Sequence, residues 1–188
     1  MTIKKVSSIT KLEDLGRIQL SKSFFMRDFL YSEIANWYGV PNFPDHPDIA
    51  IRTGTKLCEE LLEPLQEKFS RIAIRSAYCS PSVNQLGNEK GHNCASNEKN
   101  FASHIWDYSY VKGYGATACI VIPSFLELYE KTQTIGNNLL IGFITIWTIA
   151  ICNFSQNSVH LILAGMKNLH EKFIAIFNPK AICYVVKR

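Results

Sequence analysis

The six cysteines of this 188-residue chain form no Cys-x-x-Cys pair and no even ladder of spacings. That absence argues against a zinc ribbon and against a small disulfide scaffold, and leaves most of the thiols to be read as buried groups in a reducing compartment. Charge of one sign is also lacking: 20 basic and 16 acidic residues give a formal charge of +4. The lysines and arginines are scattered, without the stripe that phosphate backbones require, so nucleic acid is not an expected partner. Met1-Thr-Ile-Lys-Lys-Val6 does not have the basic, then apolar, then small-residue layout of a secretion signal, and the expected location is cytoplasmic. No internal repeat is visible. The most apolar run, Leu139 to Cys152, is fourteen residues long, against the roughly twenty that a membrane-crossing helix needs. Membrane contact through 139–154 is therefore the weaker expectation, and a buried strand or core helix the stronger.

What is present suits one globular core. Hydrophobic residues make up 47% of the chain and charged residues 19%, enough apolar surface for a single domain with an appendage. Residues 1–23 read as a polar, extended lead-in. Phe24, Phe25, Phe29 and Leu30 then bring apolar bulk at helical spacing, and a short helix is expected around Ser32 to Trp37. Gly39 to Pro47 holds three prolines in its last seven residues; each removes an amide donor and fixes φ, so this is a surface loop. From Asp48 to Phe69, Ile51, Leu57, Leu61, Leu62, Leu65 and Phe69 recur at three and four residues opposite Lys56, Glu59, Glu60, Glu63 and Glu67. That is an amphipathic helix, with Pro64 placed to kink it.

Arg71-Ile-Ala-Ile-Arg75 alternates and is rich in β-branched residues, so it reads as a strand that Ser80-Pro81 ends. Gln85 to Asn100, with two glycines and four asparagines and no period, reads as a long loop of the kind that often carries function. Ala116 to Ile122 is a second strand, and Pro123-Ser124 starts a helix bearing Phe125, Leu128 and Tyr129. The resulting class is α+β, a small antiparallel sheet with flanking helices. Pattern alone makes His104 a structural histidine, Cys119 a core thiol, Trp106 and Tyr108 packing residues, and His46 and His92 solvated.

Tyr78-Cys-Ser-Pro-Ser-Val-Asn84 resembles the Tyr-Arg-Ser-Pro-x-Val-Asn signature of the zinc D-alanyl-D-alanine carboxypeptidases and related cell-wall peptidases, which share their fold with the hedgehog amino-terminal domain. Phe29-Leu-Tyr-Ser32 is similar to that family's upstream Phe-x-x-Ser element, and Leu61-Leu-Glu-Pro-Leu65 to its helix before the strand. The resemblance covers about residues 24 to 131 and is nearest to an uncharacterised bacterial subgroup with His-Ile-Trp-Asp and Gly-Ala-Thr-Ala-Cys, here His104 to Asp107 and Gly115 to Cys119. It implies a peptidase-like domain over 24–133, zinc as cofactor and a cell-wall peptide or other small peptide as substrate.

Carried over residue by residue, the resemblance makes His104 the first zinc ligand and leaves Asp107 and Cys119 as alternatives for the second. The third, in the family a histidine after tryptophan near the carboxyl end, has only His160 or His170 to supply it. Substrate contacts fall to Arg75, Ser80 and Asn84. Cys79 stands where the family carries the arginine that holds the substrate carboxylate, and a thiol cannot make the bidentate pair of a guanidinium. Arg75 can substitute only by lying on the same strand face. Two functions follow: a zinc peptidase-like domain lacking a complete active site, or a non-catalytic relic or binding module of the same fold.

Residues 134–188 break with this text. Leu161 to Lys172, back-translated with permitted codons and read two bases later, gives Asn-Ile-Ser-Trp-His-Glu-Lys, which contains the missing Trp-His. The same shift turns Gly136 to Thr148 into an amphipathic helical string. The carboxyl end is thus expected to be an out-of-frame translation that begins near Gln133, with poor contacts to the domain before it.

Overall fold

The computed structural model describes residues 6–111 and 113–123, together with the backbone of four further strands. The chain is α+β. Helices α1 (Ile9–Gly16), α2 (Glu33–Tyr38), α3 (Pro47–Leu57), α4 (Glu63–Phe69), α5 (Pro81–Glu89) and α6 (Asn97–Asn100) accompany strands β1 (Ala73–Ser76), β2 (Gly115–Val121), β3 (Thr148–Asn153) and β4 (Ser158–Leu163), which form one sheet in the order β1-β2-β3-β4. Neighbours in that sheet are antiparallel. Strands β5 (Phe173–Asn178) and β6 (Ala181–Lys187) pair antiparallel as a second, two-stranded sheet.

The amphipathic stretch folds as its period predicts. Pro47 opens α3, where its missing N–H costs nothing, and Ala50, Thr53, Gly54 and Leu57 form the buried face. Between α3 and α4 the helix widens into a π turn over Cys58–Leu62, where the Glu63 amide donates to the Cys58 carbonyl. Pro64 supplies the reason: its ring lacks a donor and presses on the preceding turn, and the wider turn absorbs it without ending the helix. Leu61, Leu62 and Leu65 stay buried through this turn and share one core with Ala116, Ala118 and Ile120 of β2, the flanking Ile72 and Ile122, and Met26, Phe29 and Trp106.

The lead-in is not extended. Ser8 caps α1 by accepting from the Lys11 amide, and Val6, Leu15 and Leu20 belong to the same core as the sheet. Nor does the chain break at residue 23: the Glu63 carboxylate accepts from the Ser21 hydroxyl (2.7 Å), the Ser23 amide (2.6 Å) and the Ser23 hydroxyl (2.9 Å). The expected loop of 85–100 is another correction, since Gln85 to Glu89 continue helix α5 and Asn97 to Asn100 form α6. Gly87 sits there because a Cβ would lie 2.6 Å from Cys94 Sγ and 2.8 Å from Ile34 Cδ1; the residue marks a close approach rather than a break. The helix expected after Pro123 lies outside the described residues, as do 134–147.

Candidate functional site

Two of the site candidates, His104 and Asp107, lie on the segment 101–108, which precedes β2. Ala102 is held at φ 55°, a left-handed conformation that costs a β-carbon-bearing residue about 1 kcal/mol or more and persists only where the surroundings over-determine it. Here they do. The Ala102 amide donates to both Ile105 and Tyr108 carbonyls, and the Thr117 amide of β2 donates to the Ser103 carbonyl (2.9 Å). Trp106 is fully buried, its Nε1 donates to the Thr117 carbonyl (3.2 Å), and its ring lies 5.4 Å from that of Phe29 and edge-on at 5.9 Å to that of Tyr78. Tyr108 stacks on Phe101 at 5.0 Å.

His104 is half-buried. Its Nδ1 donates to the Ala77 carbonyl at 2.7 Å, and its own carbonyl accepts from the Cys79 amide at 2.9 Å. Burial lowers the imidazole's pKa, with the Ala77 carbonyl acting in the opposite sense. A carbonyl can only accept, so Nδ1 carries a proton and Nε2 holds the lone pair whenever the ring is neutral; a carbonyl-fixed imidazole of this kind suits a metal ligand.

The other two metal candidates have partners of their own. Asp107 is 1% exposed; its Oδ1 accepts from the Tyr78 hydroxyl (3.2 Å) and its Oδ2 from the His46 amide (3.0 Å). Burial raises its carboxyl, against the hydrogen bonds that favour the anion. Cys119 lies opposite Ser76 in the β1–β2 ladder, and burial pushes its thiol up despite the Ser76 hydrogen bond and the nearby Arg75. Among the described residues no three His, Cys, Asp or Glu side chains are grouped to hold a metal ion. Of the donors expected for zinc, His104 has a carbonyl-fixed ring, while Asp107 has both oxygens hydrogen-bonded to Tyr78 and His46. His160 stands in β4 opposite Ile151, itself opposite Thr117, and so two strand spacings, about 10 Å, from β2. His170 lies outside the described residues.

The expected substrate contacts are turned inward or elsewhere. Ser80 caps α5, accepting from the Val83 amide (3.3 Å), while its own amide donates to Asn42 Oδ1 (2.7 Å). Asn84 Nδ2 donates to the Ala95 carbonyl and to Asn97 Oδ1, and its Oδ1 accepts from Asn100 Nδ2. Both side chains serve the scaffold. Arg75 is the extra residue where the β1–β2 register shifts between Ile74 and Ser76. That bulge re-aims it to an ion pair with Glu33, so the simple alternation that would align it with Cys79 does not hold. Burial, with Cys94 adding to it, pushes the Cys79 thiol up to about 12.

Tyr78, Asn42 and the His46 amide were not candidates on sequence, yet they tie the region together. Asn42 Nδ2 bridges the Leu30 and Tyr78 carbonyls, each at 3.0 Å. Its position between Pro41 and Pro44 was the only available signal. The His46 ring lies 5.5 Å from Tyr108, and His92 Nε2 is 2.8 Å from the Tyr38 hydroxyl.

No family model, no curated protein and no solved structure matches this chain. No helix among the described residues is long and apolar enough to cross a membrane.

Proposed function

We propose that this chain is a peptidase-like domain of the zinc D,D-carboxypeptidase type, with a hedgehog-like α+β fold, that lacks a complete catalytic site in this form. The substrate class is a cell-wall peptide or other small peptide. One observation carries the reading: the His104 Nδ1–H is fixed on the Ala77 carbonyl, while both oxygens of Asp107 are taken by Tyr78 and His46. Cys79, at the position where a substrate carboxylate needs a guanidinium, is a protonated thiol. Ser80 and Asn84, both buried, hold the loops around the site and offer no substrate contact. The same facts favour the non-catalytic form of the fold over an active hydrolase. Zinc, if held, rests on His104 and would there act as a Lewis acid; the described residues supply no further step. The test is release of D-alanine from a muramyl pentapeptide with zinc supplied. No release is expected, with Cys79→Arg failing to restore it, and turnover by the unmodified chain would overturn the proposal.

A further inference from the structure

Three consecutive residues after β1 are matched to the segment 104–107. Ala77 accepts from the His104 ring and the Cys79 amide donates to the His104 carbonyl. Between them the Tyr78 hydroxyl reaches Asp107 Oδ1. The other oxygen of Asp107 draws in the His46 amide at the head of α3. Asp107 is thus a buried carboxylate held by amide and hydroxyl donors, and no cation pairs with it among the described residues. A carboxylate buried on neutral donors is costly unless those donors are rigidly placed. Asp107 therefore stays in register only while Tyr78 does, and Tyr78 in turn fixes the carbonyl and amide on either side of it, the two groups that seat His104.

We propose that Asp107 is a positioning residue: with the Tyr78 hydroxyl and the His46 amide it closes a buried clasp that holds His104 on the Ala77 carbonyl and leaves its Nε2 bare. Asp107 is then not a metal ligand. The clasp belongs to the metal-free chain, so the assignment does not depend on whether the chain hydrolyses peptides.

The experiment is long-range proton–nitrogen correlation NMR of the 15N-labelled full chain at about pH 8, where an imidazole is neutral, with His104→Gln to assign the resonances. In the unmodified chain His104 shows protonated Nδ1 and bare Nε2. Tyr78→Phe and Asp107→Asn each convert it to the mixed tautomers of an unheld imidazole, and the double variant goes no further than either single one. A merely bracing Asp107 would lower thermal stability and leave the tautomer unmoved, and that result overturns the assignment. So does loss of binding of zinc alone in Asp107→Asn with the tautomer intact, which would make Asp107 a ligand. Should Asp107→Asn fail to fold, Tyr78→Phe, which deletes one hydroxyl, gives the same decision.

Discussion

Gly54→Ala tests how tightly the candidate loop is packed on its helix. Ordinarily this exchange inside a helix gains about 1 kcal/mol, because alanine gives up less backbone freedom on folding. At this position a Cβ would lie 2.8 Å from Trp106 Cζ3, 3.1 Å from Leu20 Cδ1 and 3.3 Å from Trp106 Cε3. Carbon atoms rest at about 3.5–4.0 Å, so the nearest contact is short by roughly 1 Å. The ring has nowhere to go: Phe29 and Tyr78 flank it and its Nε1 is bonded to β2. Overpacking against such a group costs about 2–3 kcal/mol, near the top of the usual range, and the net is a loss of about 1–2 kcal/mol. Urea unfolding monitored by tryptophan fluorescence should show a lower midpoint with an unchanged slope. Gly87→Ala is the comparison: its Cβ would meet Cys94 Sγ at 2.6 Å and the free end of the Ile34 side chain at 2.8 Å, groups that can shift where the pinned Trp106 ring cannot. A Gly54→Ala protein more stable than its parent would mean that helix propensity wins and that Trp106 is not pinned between α3 and β2.

The Glu63 carboxylate gives a pH signature: burial alone would raise its pKa, but the Ser21 and Ser23 hydrogen bonds and Lys22 outweigh it and the net shift is downward. A depressed acid stabilises the fold above its ordinary value and loses that contribution as pH falls through the lowered one; Glu63→Gln should be about 0.5–1 kcal/mol less stable at neutral pH after solvent screening, with the difference vanishing in acid unfolding curves. A difference that persists unchanged in acid would place the contribution elsewhere. Gly39, the left-handed cap of α2 at φ 66° with nothing within 4 Å of an added Cβ, should lose about 1 kcal/mol as Gly39→Ala through backbone strain alone, and no loss in thermal unfolding would contradict that cap. Sequencing the gene decides the reading-frame proposal: the codons of Ala164, Gly165 and Met166 must be readable as TGG CAT across their boundaries, and codons that forbid it end the idea.

Legibility in the sequence followed how local the cause was. The α3–α4 helix and the strands β1 and β2 were legible from sequence pattern, because most of their large apolar residues pack on one core. Helix α1 was not, although Ser8 and the positions Ile9, Leu12 and Leu15 carry a cap and a three-residue spacing; Ile9 and Leu12 remain exposed, so the amphipathic signal was weak. Helix α5 was hidden by Gly87, whose reason is a contact with Cys94 and Ile34, and by Asn84, Asn97 and Asn100, whose amides bond one another. The site was half legible. His104 and Asp107 could be singled out, but the pairing of Asp107 with Tyr78 across 29 positions and with the amide of a proline-flanked histidine has no local signature. Their roles were therefore assigned as two ligands, where the hydrogen bonds of Asp107 to Tyr78 and to the His46 amide support a positioning role for it.

The carboxyl-terminal strands bear on the origin of residues 134–188. Poor contact with the preceding domain was expected of them, yet β3 runs along β2 in unbroken register from Gly115↔Asn153 to Ile120↔Thr148. Backbone pairing does not read side chains. A strand flanked by an open edge offers a row of amides and carbonyls to any extended, β-branched neighbour, and Thr148-Ile-Ala-Ile-Cys-Asn153 is such a segment. An out-of-frame translation of this composition would dock on β2 by the same hydrogen bonds as a selected one, so the ladder is no evidence against the slipped frame. The distinction lies in specificity: register is strongly set only where alternating faces differ, and an apolar run without alternation can slide by one residue at little cost. If the tail was never selected for this sheet, introducing one charge at Ile149 should weaken pairing no more than introducing it at Ala150, whereas a selected strand would tolerate only the charge that faces away from the core. Hydrogen exchange of the β2 amides reads the outcome, and a marked preference between the two positions would show a face that selection has distinguished.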